Sequence, residues 1–316
     1  MNESFDITIV GAGLAGTALA CALSSAGSST SAPLRIALIE AKAIKNDWPA
    51  CDEGIHGFDP RVSALTVASQ AFLTDIGVWP AMTQQRVSPF EKMHVWDADG
   101  TGEVSFDAAD VRAAVLGHIV ENRVTLAALV NKLKQSANIQ IFDGQAVAHL
   151  HLPEKPEDEN PQLILEDGTV IRSTLIVAAD GANSPLRELA GITVREWPYD
   201  HDALVCSVSV EKPHQKTAWQ RFTSFGPLAF LPLAVHHDDK NYCSVVWSQT
   251  AEETTAAMAM DDADFCIALS RAFENRLGKV TACSRRYSYP LQQRHAINYT
   301  KAGFALIADA AHSIHP

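Results

Sequence analysis

The chain has 316 residues, 47% of them hydrophobic and 20% charged, enough apolar material for a large core and unlike a disordered or fibrous composition. Its 25 Lys and Arg against 37 Asp and Glu leave a net charge of -12, with no basic cluster to offset it, which argues against a nucleic-acid partner. Two domains, or one large domain with an insertion, are expected.

The first apolar stretch, Ile7 to Leu23, is 17 residues long but contains three Gly and five Ala, and Asp6 precedes it with no basic segment, so it reads as neither a signal peptide nor a membrane span. Phe5 to Val10 is a short β-rich run, Leu14 to Ser25 an Ala/Leu-rich helix, and Leu34 to Glu40 a second strand of the buried type. Together they predict a βαβ unit, with Gly27 to Pro33 as an exposed polar excursion. Leu65, Ala68, Phe72 and Ile76 recur at helical spacing, and so do Ile119, Leu126, Leu129, Val130 and Leu133 within a segment from Gly117 to Ser136. Between them, two strands flank Asp97-Ala-Asp-Gly100.

From Ile139 to Asp180 further strands are broken by an acidic stretch, Glu154 to Pro161, and by the turn Asp167-Gly168. A second β-rich block runs from Ala203 to Ser248, with turns at Gly226-Pro227 and His236-His-Asp-Asp-Lys240, and helical sequence follows from Ala251 to Leu277. A buried strand then returns at Phe304 to Ala308. This order predicts an α/β fold: a Rossmann-like nucleotide-binding domain (residues 1–72, 100–185 and 280–316) interrupted by a β-rich substrate domain (residues 73–99 and 186–279).

The six cysteines, Cys21, Cys51, Cys206, Cys243, Cys266 and Cys283, lie 17 or more residues apart with no CxxC pair, so they read as reduced, mostly buried thiols rather than as a zinc site. His149 and His151 share a strand face without a third ligand and read as a surface pair, and His236-His237 beside Asp238-Asp239 reads as an exposed turn. No metal site is expected.

Gly11-Ala-Gly-Leu-Ala-Gly16 lies directly between the first strand and the first helix. Gly11 permits a tight turn, Gly13 lets backbone approach a pyrophosphate, and Gly16 lets helix pack on strand, while Leu14 and Ala15 open the helix whose N-terminus meets the phosphates. Glu40, ending the second strand, is placed to accept hydrogen bonds from a ribose. The unit binds a dinucleotide, and NAD and FAD both use it.

Two later segments bear on that choice. Leu175-Ile-Val-Ala-Ala-Asp180-Gly-Ala-Asn-Ser184-Pro-Leu-Arg187 is a buried strand ending in Asp-Gly, with Ser184 placed to cap the next helix. Ala305-Leu-Ile-Ala-Asp309-Ala-Ala-His312-Ser-Ile-His-Pro316 is another strand ending in an acid. Alone, each is an ordinary strand-to-helix junction. In this order behind GxGxxG they resemble the flavin-dependent aromatic hydroxylases, single-component FAD monooxygenases.

The resemblance implies FAD as cofactor and NAD(P)H as co-substrate, with the Gly11 motif on ADP, Asp180 contacting FAD in a segment tied to NAD(P)H, and Asp309 on the ribityl chain. Arg61, in Asp59-Pro-Arg-Val-Ser-Ala-Leu65, matches the family's arginine near the pyrophosphate, and Ala308 stands where the family usually has Gly. Gly117 to Asn122 opening a helix, Ala218-Trp-Gln-Arg-Phe222 leading to Gly226-Pro-Leu-Ala-Phe-Leu-Pro-Leu233, and Ser244-Val-Val-Trp247 are similar to segments of the hydroxylases of ubiquinone biosynthesis. The stretch from Trp219 to Leu233 is expected to floor the substrate pocket. His312 and His315 fall near the flavin by motif position, as packing residues or proton carriers.

The reaction implied by the resemblance is hydroxylation of an electron-rich ring: NAD(P)H reduces FAD, the reduced flavin activates O2, and one oxygen atom passes to a phenolic carbon, with the protein positioning and desolvating the flavin. A prenylated phenol or quinol precursor of ubiquinone is the implied substrate. The reduced cysteines and the lack of a signal-peptide pattern imply a cytoplasmic protein, a lipid tail on the substrate implies an apolar tunnel and contact with the inner membrane or with pathway enzymes, and a homo-oligomer is allowed. A hydroxylase of small soluble phenols and a non-catalytic FAD-binding assembly subunit remain open alternatives. In the family the Asp309 motif continues into a Gly-rich turn and a helix facing the flavin ring, so a chain ending at Pro316 is expected to be C-terminally truncated, to keep the ADP half of the site, to bind FAD weakly or not at all, and to be unable to hydroxylate by itself.

Overall fold

The computed structural model describes every residue except 1, 27–31, 46, 50–53, 156–158, 236–239 and 315–316. Most of the polar loop after the first helix, part of the acidic stretch, Cys51, His236, His237, Asp238, Asp239 and His315 therefore lie outside the described residues. Contacts divide the chain into two compact units: residues 1–47, 126–197 and 292–316, and residues 48–125 and 198–291.

The chain opens with β1 (Asn2–Val10), α1 (Leu14–Ala26) and β2 (Ile36–Glu40), the expected βαβ unit. The second unit takes over with β3 (Val62–Thr66), α2 (Val67–Asp75), α3 (Trp79–Thr83), β4 (Val87–Phe90), β5 (Lys92–Asp97), β6 (Glu103–Asp107) and β7 (Gly117–Glu121). α4 (Asn122–Leu133) leads back to the first unit and β8 (Ile139–Asp143), β9 (Val147–His151), β10 (Gln162–Leu165), β11 (Val170–Ala178) and α5 (Pro185–Leu189). β12 (Val194–Val210) leads into β13 (Thr217–Thr223), β14 (Gly226–Leu233), β15 (Tyr242–Thr250), α6 (Ala251–Ala259), α7 (Asp262–Ala272), β16 (Val280–Cys283) and β17 (Tyr287–Ala296). The chain closes with β18 (Thr300–Lys301), β19 (Phe304–Leu306) and β20 (His312–Ser313).

In the first unit the sheet order is β18-β19-β11-β1-β2-β8, and β19, β11, β1, β2 and β8 are mutually parallel. Parallel strands are covered on both faces, which is why Ile36–Ile39 is a continuous apolar run with no exposed side chain. Val10, Ile39, Ile176, Ala178, Phe304 and Leu306 share one core. His149 and His151 sit exposed on β9, as a surface pair should.

In the second unit β12-β15-β14-β13-β5-β6 form one sheet, antiparallel except where β13 runs parallel to β5. α6 and α7 cover it, burying Ala257, Phe265, Leu269 and Phe273 against Leu204, Phe230 and Val245. Thr250 starts α6 with a reciprocal cap to Glu253. The Trp219 to Leu233 stretch is the β13–β14 hairpin, with Trp219 opposite Phe230.

Gly117 to Glu121 corrects the helical reading of that segment: it is β7, the middle strand of β3-β7-β4. A Cβ at Gly117 would stand 2.5 Å from the Leu65 carbonyl oxygen and 2.9 Å from the Phe90 ring, so the glycine serves close strand packing, and the helix begins only at Asn122. Leu65 likewise belongs to β3, and Thr66, whose hydroxyl accepts the Ser69 N–H at 3.2 Å, starts α2 after it. This small sheet is why residues 48–72 and 100–125, grouped with the cofactor domain by sequence, pack within the second unit.

Candidate cofactor site

Four adjacent parallel strands of the first unit, β19, β11, β1 and β2, deliver the sequence motifs to one edge of the sheet. Val10 pairs with Ala178 and with Ile39, and Ala178 pairs with Leu306, so the Gly11 loop, Asp180, Glu40 and the Asp309 turn all leave the carboxyl ends of neighbouring strands. That crevice is where open α/β sheets bind their ligands.

The three glycines of the loop differ in what requires them. Gly11 has φ +106°, and a Cβ there would lie 2.3 Å from the Ala179 carbonyl oxygen; a Cβ on Gly16 would lie 1.9 Å from the Gly11 carbonyl oxygen. The fold itself therefore demands both. A Cβ on Gly13 would meet nothing within 4 Å, so no packing among the described residues explains that glycine. Leu14 and Ala15, half-buried, form the first turn of α1, whose leading N–H groups have no intrahelical acceptor.

Glu40 is fixed from two sides: its Oε2 accepts the Ala12 N–H at 2.7 Å and its Oε1 accepts the Lys42 N–H at 3.2 Å. Each oxygen keeps a second lone pair for a donor from outside the chain.

Asp180 follows β11. Its Oδ2 accepts the Leu186 N–H at 3.0 Å, while its Oδ1 is buried with no partner. Burial pushes its carboxyl up from the ordinary range, opposed by hydrogen bonds from Ser184 and Leu186 and by the nearby Arg187. Ser184 caps α5 as expected, accepting the Arg187 N–H at 3.0 Å.

Two arginines hold this segment, and sequence reasoning gave neither that role. Arg187, buried, donates to the carbonyl oxygens of Ala310 and Ala182, both at 3.0 Å. Arg294 donates to the Ala182 carbonyl oxygen at 2.6 Å and to Asn183 Oδ1 at 2.9 Å, and pairs with Glu196 at 2.6 Å. The signal in sequence is only a basic residue after a cap; its carbonyl partners carry no side-chain mark.

Asp309 is exposed on the turn after β19, with Oδ1 accepting from Ser313 at 3.3 Å. Ala308 before it has φ +50°, the left-handed region that favours glycine. His312 is exposed and hydrogen-bonds through Nδ1 with the Tyr299 hydroxyl at 3.3 Å, which also meets His295 Nε2 at 2.9 Å. Arg61 lies in the second unit at the head of β3, its N–H on Asp59 Oδ1 at 2.9 Å and its carbonyl accepting from Asn122 at 3.0 Å. Five cysteines are free and buried, and burial pushes the Cys21 thiol up to about 11 and Cys283 up to about 12.

The open space at Gly13, the donors of the α1 terminus and the unpartnered Asp180 oxygen fit a dinucleotide whose phosphates need backbone access. A family described as FAD binding domain matches residues 4–316. The 3-demethoxyubiquinol 3-hydroxylase of Escherichia coli (strain K12) is 35% identical over 315 residues, which cover 100% of this chain and 75% of that protein. The ubiquinone biosynthesis monooxygenase COQ6 of Danio rerio is 31% identical over 354 residues, covering 100% of this chain and 71% of that protein. In fold, the chain is similar to pqsL of Pseudomonas aeruginosa (TM-score 0.78, 21% identity, 99% of this chain and 80% of that one) and to p-nitrophenol 4-monooxygenase PnpA of Pseudomonas putida (TM-score 0.72, 16% identity, 99% and 75%). A match through residues 4–316, joined by relatives above 30% identity along the whole chain, places this protein among the flavin-dependent aromatic hydroxylases, in the ubiquinone-biosynthesis branch, with FAD as its cofactor.

Proposed function

We propose that this chain uses FAD, NAD(P)H and O2 to hydroxylate the ring of a prenylated phenol or quinol on the way to ubiquinone. The observation that carries the reading is Gly13: it is the glycine of the loop with open space beside it, at the edge where the motifs of four parallel strands meet. Bound and reduced flavin supplies the activation of O2.

The chain's own residues bind and orient. The Gly11–Gly16 loop and the first turn of α1, with Leu14 and Ala15, receive the pyrophosphate, and Glu40 accepts from the adenosine ribose. Asp180 takes a hydrogen bond from the cofactor at its buried Oδ1, and Asp309 takes one from the ribityl chain. Arg61 is carried over from the family pattern as the arginine associated with the pyrophosphate. The β13–β14 hairpin contributes to the pocket that positions the ring and excludes water. Among the described residues no helix is long and apolar enough to cross a membrane, and the lipid tail of the substrate brings the enzyme to a membrane surface or to a partner enzyme.

The experiment is to purify the chain, record the visible spectrum for bound flavin, and follow incorporation of labelled O2 into a prenylated phenol with NADH or NADPH. A hydroxylated product from the prenylated ring, with little from a short polar phenol, is the expected result. Equal turnover of the two would overturn the lipid-substrate reading, and flavin binding without any product would favour an assembly role.

A further inference from the structure

β17 and β20 run antiparallel, and their register sets His295 directly opposite His312. Tyr299, in the connection that follows β17, reaches the same place: its hydroxyl oxygen lies 2.9 Å from His295 Nε2 and 3.3 Å from His312 Nδ1. The three ring centroids stand 5.3 Å (His295 to Tyr299), 5.8 Å (Tyr299 to His312) and 6.2 Å (His295 to His312) apart, a nearly equilateral triangle. Two ring nitrogens and one phenol oxygen thus converge on one point, all from the first unit. The expectation of no metal site rested on histidines that are neighbours in sequence, whereas these two are brought together only by strand pairing.

The backbone already orients one of the imidazoles. His295 Nδ1 lies 3.0 Å from the Ala296 carbonyl oxygen, a group that only accepts, so Nδ1 carries the proton and Nε2 presents its lone pair to the Tyr299 hydroxyl. Anchoring of the other ring nitrogen on a carbonyl is what fixes the tautomer of metal-ligating histidines. The hydroxyl has a single proton, which goes to His295, so its oxygen accepts from His312 Nδ1. A cation can take the place of these shared protons. The phenol releases its proton to solvent, His312 carries its own on Nε2, and two nitrogens and one oxygen then offer lone pairs to one ion.

Donors about 2.0–2.1 Å from one ion and about 90–110° apart at it are separated by roughly 2.9–3.4 Å. The observed 2.9 and 3.3 Å fall within that range. His295 and His312 are exposed and Tyr299 is half-buried, which leaves the remaining coordination positions to water. Two imidazoles and a phenol oxygen suit the later first-row divalent ions rather than magnesium or calcium, and among them copper(II) binds such donors most strongly.

We propose that His295, Tyr299 and His312 form a binding site for copper(II), with one proton released for each ion bound. The site rests on these three side chains and does not depend on the flavin reading. An ion held there ties β17 to β20, the strand that follows the Asp309 turn.

The test starts from chain stripped of metal by a chelator and titrates copper(II), zinc(II) and magnesium(II) by calorimetry, with paramagnetic resonance and visible spectra of the copper form. Copper(II) is expected to bind at one equivalent, about tenfold or more tighter than zinc(II), with no binding of magnesium(II). Its spectra should show hyperfine splitting from two nitrogens and a phenolate-to-copper charge-transfer band. Tyr299→Phe should remove the band and keep the nitrogen splitting. His295→Gln and His312→Gln should each weaken binding by about a hundredfold and leave one nitrogen in the splitting, with circular dichroism unchanged. Should His312→Gln fail to fold, the exposed His295→Gln decides. The double variants His149→Gln/His151→Gln and His236→Gln/His237→Gln should bind copper(II) as the parent does. No stoichiometric copper(II) binding, parent-like affinity in His295→Gln, absence of the charge-transfer band or its survival in Tyr299→Phe, or loss of the ion in either double variant would each overturn the proposal.

Discussion

Arg187 and Ala310 stand 123 positions apart in sequence and are joined by a hydrogen bond of 3.0 Å from the buried guanidinium to the backbone carbonyl. Through it and its partner bond to the Ala182 carbonyl oxygen, one side chain ties the turn after Asp180 to the turn that carries Asp309. Replacing Arg187 by Met should cost about 3 kcal/mol, the scale of charge-assisted hydrogen bonds lost from a buried site. Denaturant titration of the apo-protein measures this, and FAD affinity is expected to fall with it. An Arg187→Met chain with unchanged midpoint and affinity would dissociate the two turns.

Gly13 and Gly16 should fail in different ways. Gly16→Ala forces a Cβ to within 1.9 Å of the Gly11 carbonyl oxygen, so the variant is expected to lose stability with or without cofactor. Gly13→Val projects into open space, so its thermal midpoint without FAD should match the parent while FAD binding is abolished. Thermal scans with and without FAD separate the two. Full FAD affinity in Gly13→Val would remove the pyrophosphate assignment.

Ala308 has φ +50°, where a Cβ costs roughly 1–2 kcal/mol. Ala308→Gly relieves this at the expense of greater chain entropy in the unfolded state, leaving an expected net gain of about 1 kcal/mol. A higher denaturation midpoint, together with equal or tighter FAD binding because the methyl group beside Asp309 is gone, is the outcome to look for.

His214 gives the protein an acid-sensitive core. Its Nδ1 accepts the Lys216 N–H at 3.0 Å, and burial holds its pKa near 4 against an ordinary 6.5, so the unfolded chain binds a proton there that the folded chain refuses. Stability from this group is complete above pH 6.5 and is lost as pH falls from 6.5 toward 4, by up to roughly 3 kcal/mol. His214→Gln should flatten that part of the stability profile, measured by denaturant titration between pH 4 and 7.5. An unchanged slope in the variant would assign the acid sensitivity elsewhere.

Local chemistry makes the cofactor unit legible. The β1 and β2 runs, the Gly11–Gly16 spacing and Glu40 at the strand end are set by backbone geometry within 40 residues, and the same holds for Ser184 as a helix cap. Gly117 to Glu121 looks helical in sequence because a half-buried strand and the first turn of a helix share apolar residues over so short a span, and only the approach of Leu65 and Phe90 selects the strand. Burial and long-range pairing decided the rest. That Gly13 faces open space while Gly11 and Gly16 do not, that Arg187 reaches Ala310, and that Arg86 meets Glu121 with one nitrogen left over are all consequences of which chain segments meet, and residue type alone does not encode a partner that is a backbone carbonyl or an empty volume.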